Sequence, residues 1–292
     1  YLLGHYDEAF AHVTEGLARR GKKGGKRSIA HSLSSLGNIQ KDRGRFGEAE
    51  NCHREALELR RAIGDRAGEV TSLCNLAVLA CERGNFDDAR NGWQEALREA
   101  EDMGSLPLQA LALGNLGELA RTQGNHDESR RRLGEAIELA TDLHDPRLSS
   151  EATRNLALLE HYHGDSARAR ELAKRANEIA DHAGLRDNQG RTLLTLGEVY
   201  AGTLFDASDA DDNPTHPEMR AAERYFSKGI KVLREIGNDS ELAKGLERFG
   251  RYKIEHDDVS AGAALLNEAL AIFTRLGMKQ QKLDVERILD AL

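Results

Sequence analysis

Aromatic residues are scarce in this sequence, at 5% of its 292 residues, and prolines number four. Sustained alternation of apolar and polar residues, the mark of strands, is missing as well. What remains is rich in Ala, Leu, Glu and Arg, which points to helices. No apolar run approaches the length of a membrane span, so no membrane is expected. The three cysteines include no CxxC pair, and an odd number makes no disulfide framework. Cys74 and Cys81 lie seven apart on one helical stretch, a rise of roughly 10 Å and too far for a bridge. Free thiols in a reducing, cytoplasmic setting are the expectation. The net charge of -8 argues against nucleic acid or an anionic membrane as the main partner.

What is present is a repeat. Gly37, Ala77, Gly117, Ala157 and Gly197 follow one another at forty-residue steps. So do Gly4, Gly44, Gly84, Gly124 and Gly164, each ending a first helical pattern. A second helical pattern carries Ala9, Ala49, Ala89, Ser129 and Ala169, then Ala56, Ala96, Ala136 and Ala176. It closes on Gly24, Gly64, Gly104 and Gly184, with His144 standing in once. Glycine past a helix end supplies the left-handed conformation that a Cβ disfavours. Small residues on one face let helices approach closely. The unit is helix–turn–helix.

The beat breaks once. Gly197 meets its counterpart Gly250 after fifty-three residues, and the excess lies in the insert 202–217, GTLFDASDADDNPTHP. Ala222, Gly229, Gly237, Gly262, Ala269 and Gly277 then return to register. The expected organisation is the second helix of a leading partial repeat over 1–27, six repeats over 28–279, and a capping helix over 280–292. Asp290 stands where that last helix should have a small residue, as suits a polar outer face. The chain begins in mid-pattern at Tyr1, as expected of a piece of something longer.

The row Leu116-Gly117 and Gly124, the aromatic Tyr6, Phe46 or Phe86 two residues past the turn glycine, and the pairs Ala49–Ala56 and Ala89–Ala96 resemble the tetratricopeptide repeat. A forty-residue period with NLG and the closing IGDRAG of Ile63–Gly68 is similar to the long-helix subgroup. That subgroup includes kinesin light chain, Pins and the MalT-like regulators. Ser166 departs at the aromatic position and Asp257 at the turn glycine. The resemblance implies an all-α, right-handed superhelical solenoid whose concave wall is made by the first helices.

On each first helix one stripe, Leu113, Leu116, Gly117 and Ala120 in the third repeat, faces the neighbouring helices. The face at i, i+4, i+7 and i+11 holds Leu111, Asn115, Glu118 and Thr122. Asparagine is a poor residue for a helix interior, yet Asn75, Asn115 and Asn155 recur there; the same position is Ser35, Thr195 and Arg248 elsewhere. A primary amide pairs with a peptide C=O and N–H together, and the resemblance implies that such asparagines hold extended peptides. The competing reading is that each amide bonds a neighbouring helix and fixes repeat packing. Arg121, Arg154, Arg191, Lys244, Arg248 and Arg251 lie on or beside this face, with Asp42 and Glu82 at the other end. Arginine binds carboxylates bidentately, so an acidic segment is favoured unless Glu118, Glu151 and Glu198 neutralise it. His161 is placed on the groove too.

Other signals fall away. DADDNP, Asp209 to Pro214, starts like a calcium loop, but Pro214 stands at its turn glycine and Arg220 at its twelfth position. His161 and His163 point to diverging faces, and no metal-ligand spacing accompanies them. No phosphate loop, nucleophile elbow or cysteine–histidine pair is found, so neither catalytic residues nor cofactors are expected. The basic stretch Arg19–Arg27 follows a helix C-terminus, where the helix dipole favours cations. The expected function is an interaction module that binds an extended peptide or partner segment, as the adaptor or sensor part of a larger cytoplasmic signalling protein. The rivals are a small-molecule-sensing region of the MalT-like kind and a self-association scaffold. Sugar sites want stacking faces, and the predicted groove has little beyond Tyr162.

Overall fold

The computed structural model describes residues 10–16, 25–42, 45–206 and 217–292, and the side chains of these except at 42 and 203–206. Gly4, Tyr6, Ala9, Gly24, Gly44, the first part of the basic stretch, the Asp42 side chain and most of the acidic insert lie outside the described residues.

Beyond the helical stretch 10–16, the described residues form thirteen helices and no strand. They are α1 Lys26–Asp42, α2 Phe46–Ala62, α3 Arg66–Glu82, α4 Phe86–Asp102, α5 Leu106–Thr122, α6 His126–Asp142, α7 Pro146–His163, α8 Ser166–His182, α9 Arg186–Asp206, α10 Pro217–Ile236, α11 Asp239–Glu255, α12 Val259–Leu276 and α13 Lys279–Asp290. Local chemistry sets the starts: the side chains of Asp65, Asn125, Asp165, Asn238 and Asp258 each accept from the backbone N–H three residues on, which satisfies an otherwise orphan donor. At α5 Pro107 stands at the first turn, where its missing N–H does no harm. The stops are residues with positive φ: Gly64, Gly84, Gly104, Gly124, Gly164, Gly184, Gly237 and Gly277.

The chain divides into two compact units at Leu148 and Ser149. In the first, each of α1 to α5 packs on the next, and the first helices α1, α3 and α5 also touch in turn. Small residues face large ones: a methyl at Gly37 would lie 2.7 Å from the His53 ring, and one at Gly117 would lie 2.7 Å from Leu133 Cγ.

In the second unit α8 packs on α9, and each helix from there to α13 packs on the next; α9 also touches α11. Gly197 receives Phe226 and Gly250 receives Leu266 by the same rule, at 2.7 and 2.9 Å from an added methyl. Phe226 stacks on Phe249 with ring centroids 5.1 Å apart. The insert lengthens its hairpin, α9 and α10 having 21 and 20 residues against the 17 of most others. One helix departs from the expectation that no segment reaches membrane length: α12 has 18 residues and a mean hydropathy of 1.2. A third of it is buried, with Leu266, Ala269 and Phe273 fully so, and it contacts both α11 and α13.

Candidate functional site

The polar face of the first helices is built four residues per helix, at i, i+4, i+7 and i+11. In the first unit it reads His31, Ser35, Asn38 and Asp42 on α1, then Thr71, Asn75, Val78 and Glu82 on α3, then Leu111, Asn115, Glu118 and Thr122 on α5. Asn75 and Asn115 thus stand at the same level on two helices that touch. Both are half-buried, and neither side-chain amide has a hydrogen-bond partner among the described residues. The hydroxyls around them turn back on their own helices: Ser35 donates to the His31 carbonyl at 3.1 Å, Thr71 to Ala67 at 3.0 Å and Thr122 to Glu118 at 3.0 Å. Glu118 and Arg121 are half-buried beside Asn115, and Glu82 is exposed.

In the second unit the face reads Glu151, Asn155, Leu158 and Tyr162 on α7, Arg191, Thr195, Glu198 and Gly202 on α9, and Lys244, Arg248, Arg251 and Glu255 on α11. Asn155 is 2% exposed, Thr195 is 0% exposed and Arg154 is buried beside them. Sequence reading placed Asn155 in an open groove with its counterparts, and its burial is the difference. The arginines are engaged. Arg191 pairs with Glu151 at 3.2 Å and with Glu241 at 3.6 Å, and Glu241 also takes Lys244 at 3.1 Å. Arg248 donates to Glu198 at 2.6 Å and Arg251 to Glu247 at 2.7 Å.

The electrostatics follow. Burial alone would raise the Glu241 carboxyl, but Lys244, Arg191 and Arg248 outweigh it and hold the group far below the usual carboxylate range. Glu198, against the cost of burial, pushes Arg248 up, with Glu241 assisting. Lys244, which the sequence placed on or beside this face, belongs to this network, and so does Glu241, which it did not single out. The signal was available, since Lys244 stands at the Arg191 position and Glu241 one turn before it.

His161 is half-buried, with its ring tilted against Tyr162 at 5.1 Å. It lies over Gly202, where a methyl would come within 2.2 Å of it. Tyr162 itself is 62% exposed. Among the described residues no group of three His, Cys, Asp or Glu side chains is placed to hold a metal ion. Burial pushes the Cys74 thiol up to about 12 and the Cys81 thiol up to about 11, which removes the thiolate that a nucleophile needs.

Comparison with known proteins follows the same lines. Residues 28–102, 68–142 and 108–182 match the tetratricopeptide repeat profile, together more than half of the chain. The apo form of RapI superposes with a TM-score of 0.68 over 93% of this chain and 93% of that one, at 11% identity. The Rap conjugation gene regulator of the plasmid pLS20, in complex with the Phr* peptide, gives 0.71 over 99% of this chain and 72% of that one, at 14% identity. A Signal Transduction ATPase with Numerous Domains from Pyrococcus horikoshii, which has a tetratricopeptide repeat sensor, gives 0.60 over 95% of this chain at 14% identity; the chain spans 42% of that protein. At these identities the likeness is one of fold. No curated protein matches the sequence.

Proposed function

The chain belongs to the tetratricopeptide repeat family, and from that premise we propose that it is a protein–protein interaction module whose first-helix face takes an extended peptide or partner segment. The observation that carries this is the pair of amides at Asn75 and Asn115, half-buried and without a hydrogen-bond partner among the described residues. A buried or shielded amide costs stability unless it is hydrogen-bonded, so a side chain kept in mid-helix for packing would be bonded to a neighbour. An amide that faces a groove pairs instead with the C=O and N–H of an incoming backbone. The fold shared with a Rap regulator seen in complex with the Phr* peptide supports the same ligand class. In this reading the module is the adaptor or sensor part of a larger cytoplasmic signalling protein.

The test is a titration of labelled random-sequence peptides against the chain and against the double variant Asn75→Ala/Asn115→Ala. The chain binds, and the variant loses at least tenfold in affinity with its melting temperature unchanged. Leu116→Ala, at a buried neighbour, serves as the packing contrast and loses about 2–5 kcal/mol of stability. A large thermal loss in the asparagine variant would return these amides to packing. A second reading, a small-molecule sensor, draws on the fold shared with the ATPase whose repeats are a sensor. Peptides that bind neither protein would turn the assignment to that reading.

A further inference from the structure

The two units present this face in opposite states, and resting on the reading above we infer that docking is confined to α1, α3 and α5, the face of the second unit being closed by its own ion pairs. The docked segment is then poor in acidic side chains.

Glu151 on α7, Arg191 on α9 and Glu241 on α11 form one file, with Lys244 at its end, and Glu198 and Arg248 tie α9 to α11 a turn further on. Thr195 stands between Arg191, four residues before it, and Glu198, three after it. Both of those side chains reach across to other helices, and the Thr195 hydroxyl is sealed off at 0% exposure without a hydrogen-bond partner among the described residues. Asn155, at the same level on α7, is 2% exposed. The two positions that would continue the amide row are therefore out of a ligand's reach. A ligand carboxylate gains little here: each arginine already holds a glutamate, and Glu241 sits among Lys244, Arg191 and Arg248. Exchange of one carboxylate for another leaves the displaced one unpaired.

The first unit lacks the file. The positions of Glu151, Arg191 and Lys244 are His31, Thr71 and Leu111 there, and the next level is Ser35, Asn75 and Asn115. This upper part of the face has no carboxylate and no arginine, and its hydroxyls are turned to their own helices. Asn75, Asn115 and the exposed His31 ring are left as its unengaged donors and acceptors among the described residues. Its lower edge holds Glu118, the half-buried Arg121, which is already engaged, and the exposed Glu82. A segment bound by its backbone suits such a surface, and acidic side chains on it would meet carboxylates. The arginines that favoured an acidic partner in the sequence belong mostly to the closed face.

The experiment uses the full chain and two labelled random-sequence peptide pools, one free of Asp and Glu and one acid-rich. The acid-free pool binds at least tenfold more tightly. Asn75→Ala/Asn115→Ala lowers its affinity at least tenfold, whereas Asn155→Ala changes it less than twofold. A tenfold loss in Asn155→Ala, or tighter binding of the acid-rich pool, overturns the inference. A second arm needs no ligand: thiol labelling of Asn115→Cys and Thr195→Cys, read site by site by mass spectrometry. Asn115→Cys labels at least tenfold faster, and adding Arg191→Gln speeds labelling at Thr195→Cys. Equal rates at the two cysteines overturn the closure of the second face. If neither pool binds while the labelling contrast holds, the peptide reading fails and the closure stands.

Discussion

His144 and Asp257 are the two non-glycine residues with positive φ among the described residues, at 52° and 63°. Both stand where the repeat otherwise places a helix-ending glycine, so the turn geometry is imposed by the repeat and the side chain tolerates it. A left-handed conformation costs a non-glycine residue roughly 1–2 kcal/mol, less for Asp, whose short polar side chain bonds locally. Glycine returns part of that gain as entropy in the unfolded chain. His144→Gly is therefore expected to stabilise the protein by about 0.5–1 kcal/mol, measured as a rise in the urea midpoint, with Asp257→Gly giving a smaller rise. Equal or lower stability in His144→Gly would mean that the imidazole, which contacts the Asp142 carbonyl at 3.0 Å, repays the strain. The stand-in at His144 was legible in the sequence because the glycine row is periodic. The burial of Asn155 was not, since its residue type matches Asn75 and Asn115 and the difference comes from side chains on other helices.

Helix packing obeys a rule of opposites: a small residue on the first helix receives a large one on the second. Phe226 is 1% exposed and lies so close to Gly197 that an added methyl would meet Cγ at 2.7 Å and both Cδ atoms within 2.9 Å. A phenyl ring is stiff, and it is stacked on Phe249 besides, so it has nowhere to go. Gly197→Ala, although it improves helix propensity, is expected to cost about 1–3 kcal/mol through overpacking; the check is a chemical denaturation curve. Gly134→Ala, where a methyl would meet nothing within 4 Å, supplies the opposite sign, a gain of roughly 0.5–1 kcal/mol from propensity. At this scale the sequence was readable, because a forty-residue period repeats each small residue several times over. The ion pairs were harder to read. Arg191 meets Glu241 fifty residues away, across an interface that the insert shifts out of the regular period. Glu151 and Glu198 were legible as neutralisers of the arginines, because they share the face with them, and they pair with Arg191 and Arg248; Glu241 lies off that face and was not.

Stability in a repeat protein is close to a sum over neighbouring units, so a local proton can unsettle one end of the chain without the other. His53 on α2 is 0% exposed, and neither ring nitrogen has a hydrogen-bond partner among the described residues. Burial first, then Lys41 on the facing α1 and Arg60 on its own helix, pull its pKa from the ordinary 6.5 down to about 4. The folded chain thus refuses a proton that the unfolded chain accepts. The contribution is intact above about pH 6.5 and is lost progressively as the pH falls towards 4, by up to roughly 3 kcal/mol. Carboxylates act in a lower window. Glu50, held down by hydrogen bonds from Arg54 and Arg83, and Glu128, held down by Arg132 and Arg131, are stabilising above their ordinary value of 4.5 and lose this as the pH falls further. Leucine fills the His53 position at Leu133 and Leu266, so His53→Leu should fit. The expected result is that His53→Leu removes the fall in melting temperature between pH 6.5 and 4.5 while keeping the steeper loss in stronger acid. Hydrogen exchange on the parent protein at pH 5 should locate the weakening in α1 and α2. An unchanged slope in the variant, or weakening that begins in α9 to α13, would place the acid-sensitive group elsewhere.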